Sequence, residues 1–285
     1  RPYLLDYPEW YMNRNVEKPA LTYEAVELGR YLFYDKALSA DSSVACASCH
    51  QQKFSFSDNR QFSLGVKGRK GHRNSMHLVN LVSDRRFFWD GRADSLEAQV
   101  LMPIQDNLEM DLPLPELIAR LSKHPVYAAL FERAYNTKVI TKELLADALA
   151  QFVKSIISYS SPDDYMRAVD VGRLKLHELP SEMKKYWPIY QKNIRILNCG
   201  PCHTISAASG QNMFEDAGLE AEPKDLGYFA VTGDEKDKGK FKVPSTRNLA
   251  VTAPYMHDGR FSSLEVVIDH YRKGMIRKAN ISPRY

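Results

Sequence analysis

Two short stretches of this chain combine residues that can do chemistry at a spacing too tight to be incidental: Cys46-Ala47-Ser48-Cys49-His50 and Cys199-Gly200-Pro201-Cys202-His203. The chain has four cysteines, and both C-x-x-C pairs are followed directly by histidine, so none is left over. A C-x-x-C-H run is the attachment pattern of a c-type haem: the two thiols form thioethers to the macrocycle, and the next residue reaches the iron from below. Cys46, Cys49, Cys199 and Cys202 are therefore read as attachment points of two covalently bound haem c groups, and His50 and His203 as their proximal iron ligands. Pooling the cysteines into one zinc site with four thiolate ligands leaves both adjacent histidines unexplained. A dithiol redox pair requires a strand–helix setting that neither motif has.

A haem also needs its sixth position decided. A second strong ligand makes an electron carrier, and an open face makes an oxidase or peroxidase. The spare histidines, His72, His77, His124, His177, His257 and His270, are candidates for that position, each weakly on its own. Haems of this type are attached outside the bacterial cytoplasm, which implies the periplasm. No secretory signal stands at Arg1, so a processed or trimmed N-terminus is expected.

The elements that must position these residues are mostly helical. Thr141–Ile157 places Leu144, Leu145, Ala148, Leu149, Phe152, Val153, Ile156 and Ile157 on one broad face. Shorter helical patterns cover Tyr23–Tyr34, Pro115–Ser122 and Glu182–Ile196, the last interrupted by Pro188. A Ser262-x-x-Glu265 capping box opens a helix running to about Arg272. Strand signals are scarce, and Phe54–Arg86 and Ala221–Arg247 read as loops. With 285 residues the chain has room for two domains, and the boundary is placed at Ser160-Ser161-Pro162-Asp163. The expected fold is mainly α: two cytochrome-c-like haem domains with long loops, residues 1–160 and 161–285, each wrapped around one haem. At 44% hydrophobic, 26% charged and a net charge of +4, the composition is that of an ordinary soluble protein and gives no argument for nucleic acid or a membrane surface. No stretch reaches the roughly 18 to 20 apolar residues of a transmembrane segment.

Further motifs carry a resemblance that covers nearly all of the chain. They are Arg73-Asn74-Ser75, Phe88-Trp89-Asp90-Gly91-Arg92, Leu96-Glu97-Ala98-Gln99 with Pro103 and Glu109-Met110, Val243-Pro244-Ser245-Thr246-Arg247-Asn248, and Thr252-Ala253-Pro254-Tyr255-Met256-His257-Asp258-Gly259-Arg260. With the two haem motifs, in this order, the chain resembles the bacterial di-haem cytochrome c peroxidases and MauG. The resemblance implies a periplasmic enzyme that reduces hydrogen peroxide to water with electrons from a small redox protein, a cytochrome c or a copper protein. It implies Gln99 and Glu109 on the distal face of the N-terminal haem, with Pro103 shaping the pocket. A carboxylate there suits acid–base catalysis, because O–O cleavage needs a proton removed from one oxygen and supplied to the other. It implies Trp89 as the relay between haems, and a Ca²⁺ site from Asn74 and the backbone oxygens of Thr252 and Pro254, hard ligands that suit this ion.

Two positions depart from the peroxidase pattern. A loop histidine caps the resting N-terminal haem in many members, and the corresponding position here is Val66; His72 is the alternative cap. The methionine that ligates the C-terminal haem is replaced by Tyr271, as in MauG, with Met275 as the alternative. An anionic oxygen ligand favours ferric iron. Both departures lean toward a second reading, a MauG-like enzyme that uses peroxide to oxidise residues of a partner protein. A third, a non-catalytic di-haem carrier, needs both irons six-coordinate. A homodimer is compatible with the resemblance.

Overall fold

A computed structural model describes residues 1–8, 19–196, 202–203, 213–278 and 281. The attachment residue Cys199, with Gly200 and Pro201, lies outside the described residues. The fold starts from two helices whose apolar faces meet. α1 (Tyr23–Tyr34) is capped by Thr22, whose side chain accepts from the Ala25 N–H, and it buries Ala25, Val26, Leu28, Leu32 and Phe33. It packs on the long helix of residues Lys142–Ser155, capped in the same way by Thr141. Contact is close enough that a Cβ on Gly29 would lie 1.9 Å from the Ala148 carbonyl oxygen. Only glycine lets the two backbones approach this far.

Between these two come α2 (Cys46–Cys49), α3 (Leu96–Gln105), α4 (Leu114–Ser122) and α5 (Pro125–Tyr135), which makes the long helix α6. Its limits sit just inside the expected Thr141–Ile157, because Thr141 is the cap and the helix ends before Ile156. One continuous hydrophobic core joins α1, α3, α4, α5 and α6, and all its buried members come from residues Leu21 to Val153. Gln151 is a polar member of α6 that is nonetheless buried; its amide donates to Asp147 and its carbonyl accepts from the Thr22 N–H.

Three helices carry weaker sequence signals and were not expected. α3 contains Pro103 in its last turn, yet the chain stays helical to Gln105. α5 and α7 (Pro162–Asp170) each begin with proline, whose missing N–H costs nothing at a helix start. The expected Glu182–Ile196 helix is two pieces, α8 (Ser181–Lys184) and α9 (Trp187–Ile196), with Pro188 in the first turn of the second. Ala221–Arg247 is not all loop: it holds α10 (Phe229–Thr232) and strand β2 (Phe241–Lys242), antiparallel to β1 (Phe214–Glu215). Near the end the cap is Ser263 rather than Ser262. α11 (Leu264–Asp269) stops short of Arg272 and widens into a π-turn over His270–Gly274. Met275 is extended, off the end of that turn. The architecture is thus mainly α, and no helix among the described residues is long and apolar enough to cross a membrane.

Gly29→Ala should force α1 and α6 apart. Overpacking of this kind costs about 1–3 kcal/mol, and a lowered thermal midpoint by circular dichroism is the expected result, against an unchanged one if the contact is slack.

Candidate functional site: a cavity lined by the first C-x-x-C-H motif

α2 is a single turn, so Cys46 and Cys49 come three residues apart on the same side of it, and the His50 N–H closes the turn on the Cys46 carbonyl at 2.9 Å. The chain then reverses through Ser55 and Phe56, both at positive φ, and returns alongside itself. That reversal puts the Phe56 carbonyl 2.9 Å from Nδ1 of His50. With Nδ1 donating there, the lone pair of Nε2 is left to bind a metal, the usual way a ligating histidine is oriented. Burial pushes the Cys46 thiol up to about 12 and the Cys49 thiol to about 11, with their mutual repulsion adding to the former and Glu109 and Asp58 to the latter. Such thiols are not the low-pKa thiolates of a redox pair.

Cys46, Cys49 and His50 line a cavity of about 980 Å³ shared with Gln99, Val100 and Pro103 of α3, with Glu109, and with Phe88, Trp89 and Arg92. Phe33, Leu149 and Val153 give it an apolar wall from the helical core. The volume is at the upper end for ligand pockets. Two thiols, an oriented imidazole and apolar walls fit a covalently held macrocycle. They do not fit zinc: the described residues hold no group of three or more His, Cys, Asp or Glu placed for a metal.

Glu109 is the cavity's carboxyl. Burial, and then repulsion from Asp106, raises its pKa to about 7, against a smaller opposing pull from Arg92. Arg92 stacks 3.5 Å over the Phe88 ring and is held by Asp90 at 3.1 Å. Its role was not legible beforehand, although the Asp90-x-Arg92 spacing was the available signal. The backbone around Glu109 is fixed from outside the cavity. The Val66 N–H donates to the Glu109 carbonyl at 2.8 Å, and a Cβ on Gly65 would lie 2.0 Å from the Leu108 oxygen. Arg69 closes the loop on Asp111 at 2.8 Å and on the Asn107 carbonyl. Val66 itself is fully buried in the core, and it is Gly65 that reaches the cavity. His72 lies exposed at the cavity's edge.

Trp89 is braced twice: its indole N–H donates to the Asn74 carbonyl at 2.8 Å, and its own carbonyl accepts from the Lys242 N–H at 2.7 Å. Asn74 is buried, and its N–H donates to the His257 carbonyl at 2.7 Å. Its side-chain amide donates to the Arg60 and Gln61 carbonyls, which directs its hydrogens there and leaves Oδ1 as acceptor. The Thr252 and Pro254 carbonyl oxygens have no hydrogen-bond partner among the described residues. His77, half-buried, is pushed down to about 4, by desolvation first and then by Lys242 and Arg247, against the Ser245 carbonyl.

The second motif is described only at Cys202, which is buried, and His203. Nδ1 of His203 is 2.9 Å from the Pro244 carbonyl, repeating the arrangement at His50. Tyr271 follows His270 on the π-turn, their rings 5.4 Å apart. The first cavity therefore gathers Cys46, Cys49, His50, Gln99, Pro103, Glu109, Trp89 and Asn74, whereas Cys202, His203, Tyr271, Thr252 and Pro254 stand outside its lining.

Residues 23–170 match the family model described as di-haem cytochrome c peroxidase. The methylamine utilization protein MauG of Methylorubrum extorquens is 35% identical over 265 residues, 92% of this chain and 72% of that protein. The cytochrome c peroxidase Ccp of Escherichia coli is 35% identical over 251 residues, 85% of this chain and 51% of that one. A solved MauG-like protein associated with microbial copper homeostasis superposes with a TM-score of 0.80 at 29% identity, covering 99% of this chain and 85% of its own.

Cys49→Ala removes one thioether position from this cavity. Its pyridine haemochrome assay should show one covalent haem fewer per chain than the parent; two haems would contradict the assignment.

Proposed function

The chain belongs to the di-haem cytochrome c peroxidase family, and from that premise we propose that it reduces hydrogen peroxide to water with electrons from a small redox protein. The observation that carries this reading is the Glu109 carboxyl lining the same cavity as the C-x-x-C-H motif, where burial pushes its pKa up to about 7. The overall reaction takes one peroxide, two electrons and two protons to two waters. A haem bound at Cys46, Cys49 and His50 supplies the iron that binds peroxide and the electrons that break the O–O bond. Glu109 does the proton work: near neutral pH it takes the proton from one peroxide oxygen and returns it to the other as the bond breaks. Gln99 orients the peroxide by hydrogen bonding, and Pro103 keeps the wall over it apolar and stiff. Arg92 moderates the proton affinity of Glu109.

Cys199, Cys202 and His203 would hold the second haem, with Tyr271 in preference to Met275 as its other iron ligand, and that haem would supply the entry point for the donor's electrons. Trp89 relays them. Residues 1–160 and 161–285 form the two haem domains, a division supported by the confinement of the main core to residues before Ile157. Ca²⁺ held by Asn74 Oδ1 and the Thr252 and Pro254 carbonyls ties these halves together, a reading supported by the unpartnered state of those two carbonyls among the described residues. The enzyme works in the periplasm. A second reading, oxidation of a partner protein's residues with peroxide, is favoured by the burial of Val66, which supplies no cap, and by Tyr271 in place of methionine.

Stopped-flow mixing of the fully oxidised protein with stoichiometric peroxide tests the proposal. An immediate spectral change without added reductant is expected. Because a raised carboxyl is protonated below its pKa and acts as base only above it, the rate should climb with pH through about 7. Glu109→Gln should lose that limb and slow the reaction by roughly 10²–10⁴-fold. No change until reductant is added would mean that His72 or another group caps the iron, and a Glu109→Gln rate within about threefold of the parent would mean that Glu109 takes no part in the proton transfer.

A further inference from the structure

Five aspartates are buried among the described residues: Asp58, Asp90, Asp164, Asp216 and Asp237. Four of them are neutralised. Asp90 meets Arg73 and Arg92, Asp164 meets Arg247, Asp216 meets Lys278 and Asp237 meets Lys240. Asp58, at 2% exposure, makes no ion pair among the described residues. Its partners are neutral: the Ser63 hydroxyl donates to Oδ2 at 2.8 Å, and the Gln51 amide to Oδ1 at 3.3 Å. Ser63 is itself steadied by Ser75 at 2.8 Å. An ionised carboxylate taken out of water needs a countercharge, and hydrogen bonds alone meet only part of that need.

The missing charge has an evident source. Asp58 ends the reversal that begins at His50, where Gln51 and Ser57 pair as a bridge and the Phe56 carbonyl holds the His50 ring. Its field reaches His50 and Cys49. It therefore lies on the histidine's own segment, behind His50 and outside the cavity lining to which Glu109 and α3 contribute.

We propose that Asp58 is a positioning residue of the first haem, a buried anion whose countercharge is the iron and which holds that haem's reduction potential low. The proposal rests on the reading that His50 ligates a haem iron. A ferric c-type haem core carries one net positive charge and a ferrous one none, so a fixed anion nearby favours the ferric state, and does so strongly where water is excluded. The same anion, through the Gln51–Ser57 pairing, keeps the Phe56 carbonyl against Nδ1 of His50 and makes the ring a more electron-rich ligand. A potential lowered at the peroxide-reactive centre, and not at the other, makes electron flow toward the iron depend on the oxidant.

Spectroelectrochemical titration of the holoprotein, with no peroxide present, tests this. In Asp58→Asn the first haem should shift toward ferrous by about tenfold or more in the ferric/ferrous equilibrium, ~59 mV for one electron, with the second haem unmoved. Asp58→Glu should restore most of the parent value. A two-haem Asp58→Asn protein with both potentials unchanged would overturn the proposal, as would equal shifts at both haems. Should Asp58→Asn fail to take up the first haem, Ser63→Ala keeps the charge and removes a donor that disperses it. The first haem's potential should then fall, and an unchanged or raised potential would contradict the assignment. Since no peroxide is used, a protein that proved inactive toward peroxide would still report on Asp58.

Discussion

The hydrogen bond from the Val66 N–H to the Glu109 carbonyl, 2.8 Å long, joins the two segments on which the distal side of the first site depends. One segment presents the Glu109 carboxyl to the cavity, and the other lines the same cavity through Gly65. Neither can move without the other. Gly65 approaches the Leu108 and Glu109 backbone too closely for any side chain, and Arg69 grips Asp111 and the Asn107 carbonyl. Because Val66 is packed into the core, swinging this loop over the cavity would expose a buried valine and break the clamp together. Burying a valine side chain contributes roughly 1.5–3 kcal/mol, to which each lost hydrogen bond adds about 0.5–1.5. The placement of the Glu109 carboxyl and the seating of the Val66 loop are in this way one feature.

Trp89 depends on a second set of restraints that crosses from the first half of the chain to the last. Arg73 holds Asp90, next to Trp89, and makes a two-point contact with Asp225 at 2.7 and 2.8 Å. Lys242, buried, pairs with Asp84 and donates to the Arg86 carbonyl at 2.8 Å, while its own N–H reaches Trp89. Arg247 grips Asp164 by two nitrogens. Buried ion pairs contribute little net stability, since desolvation offsets most of their attraction. Their value here is orientation: each fixes a direction between segments far apart in the chain, and so the setting of Trp89.

What was legible in the sequence follows from what each feature is made of. Cys46–His50 could be read at once because covalent attachment tolerates no change of spacing. α1 and α6 were legible because the apolar residues that build the core recur at the helical period. α3 was not, since Pro103 interrupts the pattern and tertiary packing overrides it. The cap at Ser263 was placed one residue early at Ser262, as two adjacent serines offer the same hydroxyl and only the backbone decides between them. Glu109 looked like an ordinary surface carboxylate within Asp106-Asn107-Leu108-Glu109-Met110-Asp111, and only its resemblance to a known motif marked it. Its raised pKa comes from burial and from Asp106, which a string of residues does not display. Asp58 gave no signal of any kind, because an aspartate without a counter-cation is visible only when the burial of its neighbours is known.

The proposed function requires a first haem with an open far side and a second closed by a protein ligand. Low-temperature EPR of the fully oxidised holoprotein addresses it directly, because ferric haem with a vacant or weakly filled sixth position is high-spin and one with two strong ligands is low-spin. One high-spin signal that disappears in Cys49→Ala, and one low-spin signal that remains, are expected. Two low-spin signals from the resting protein would show that a residue of this chain closes the first iron, and would contradict the proposed function.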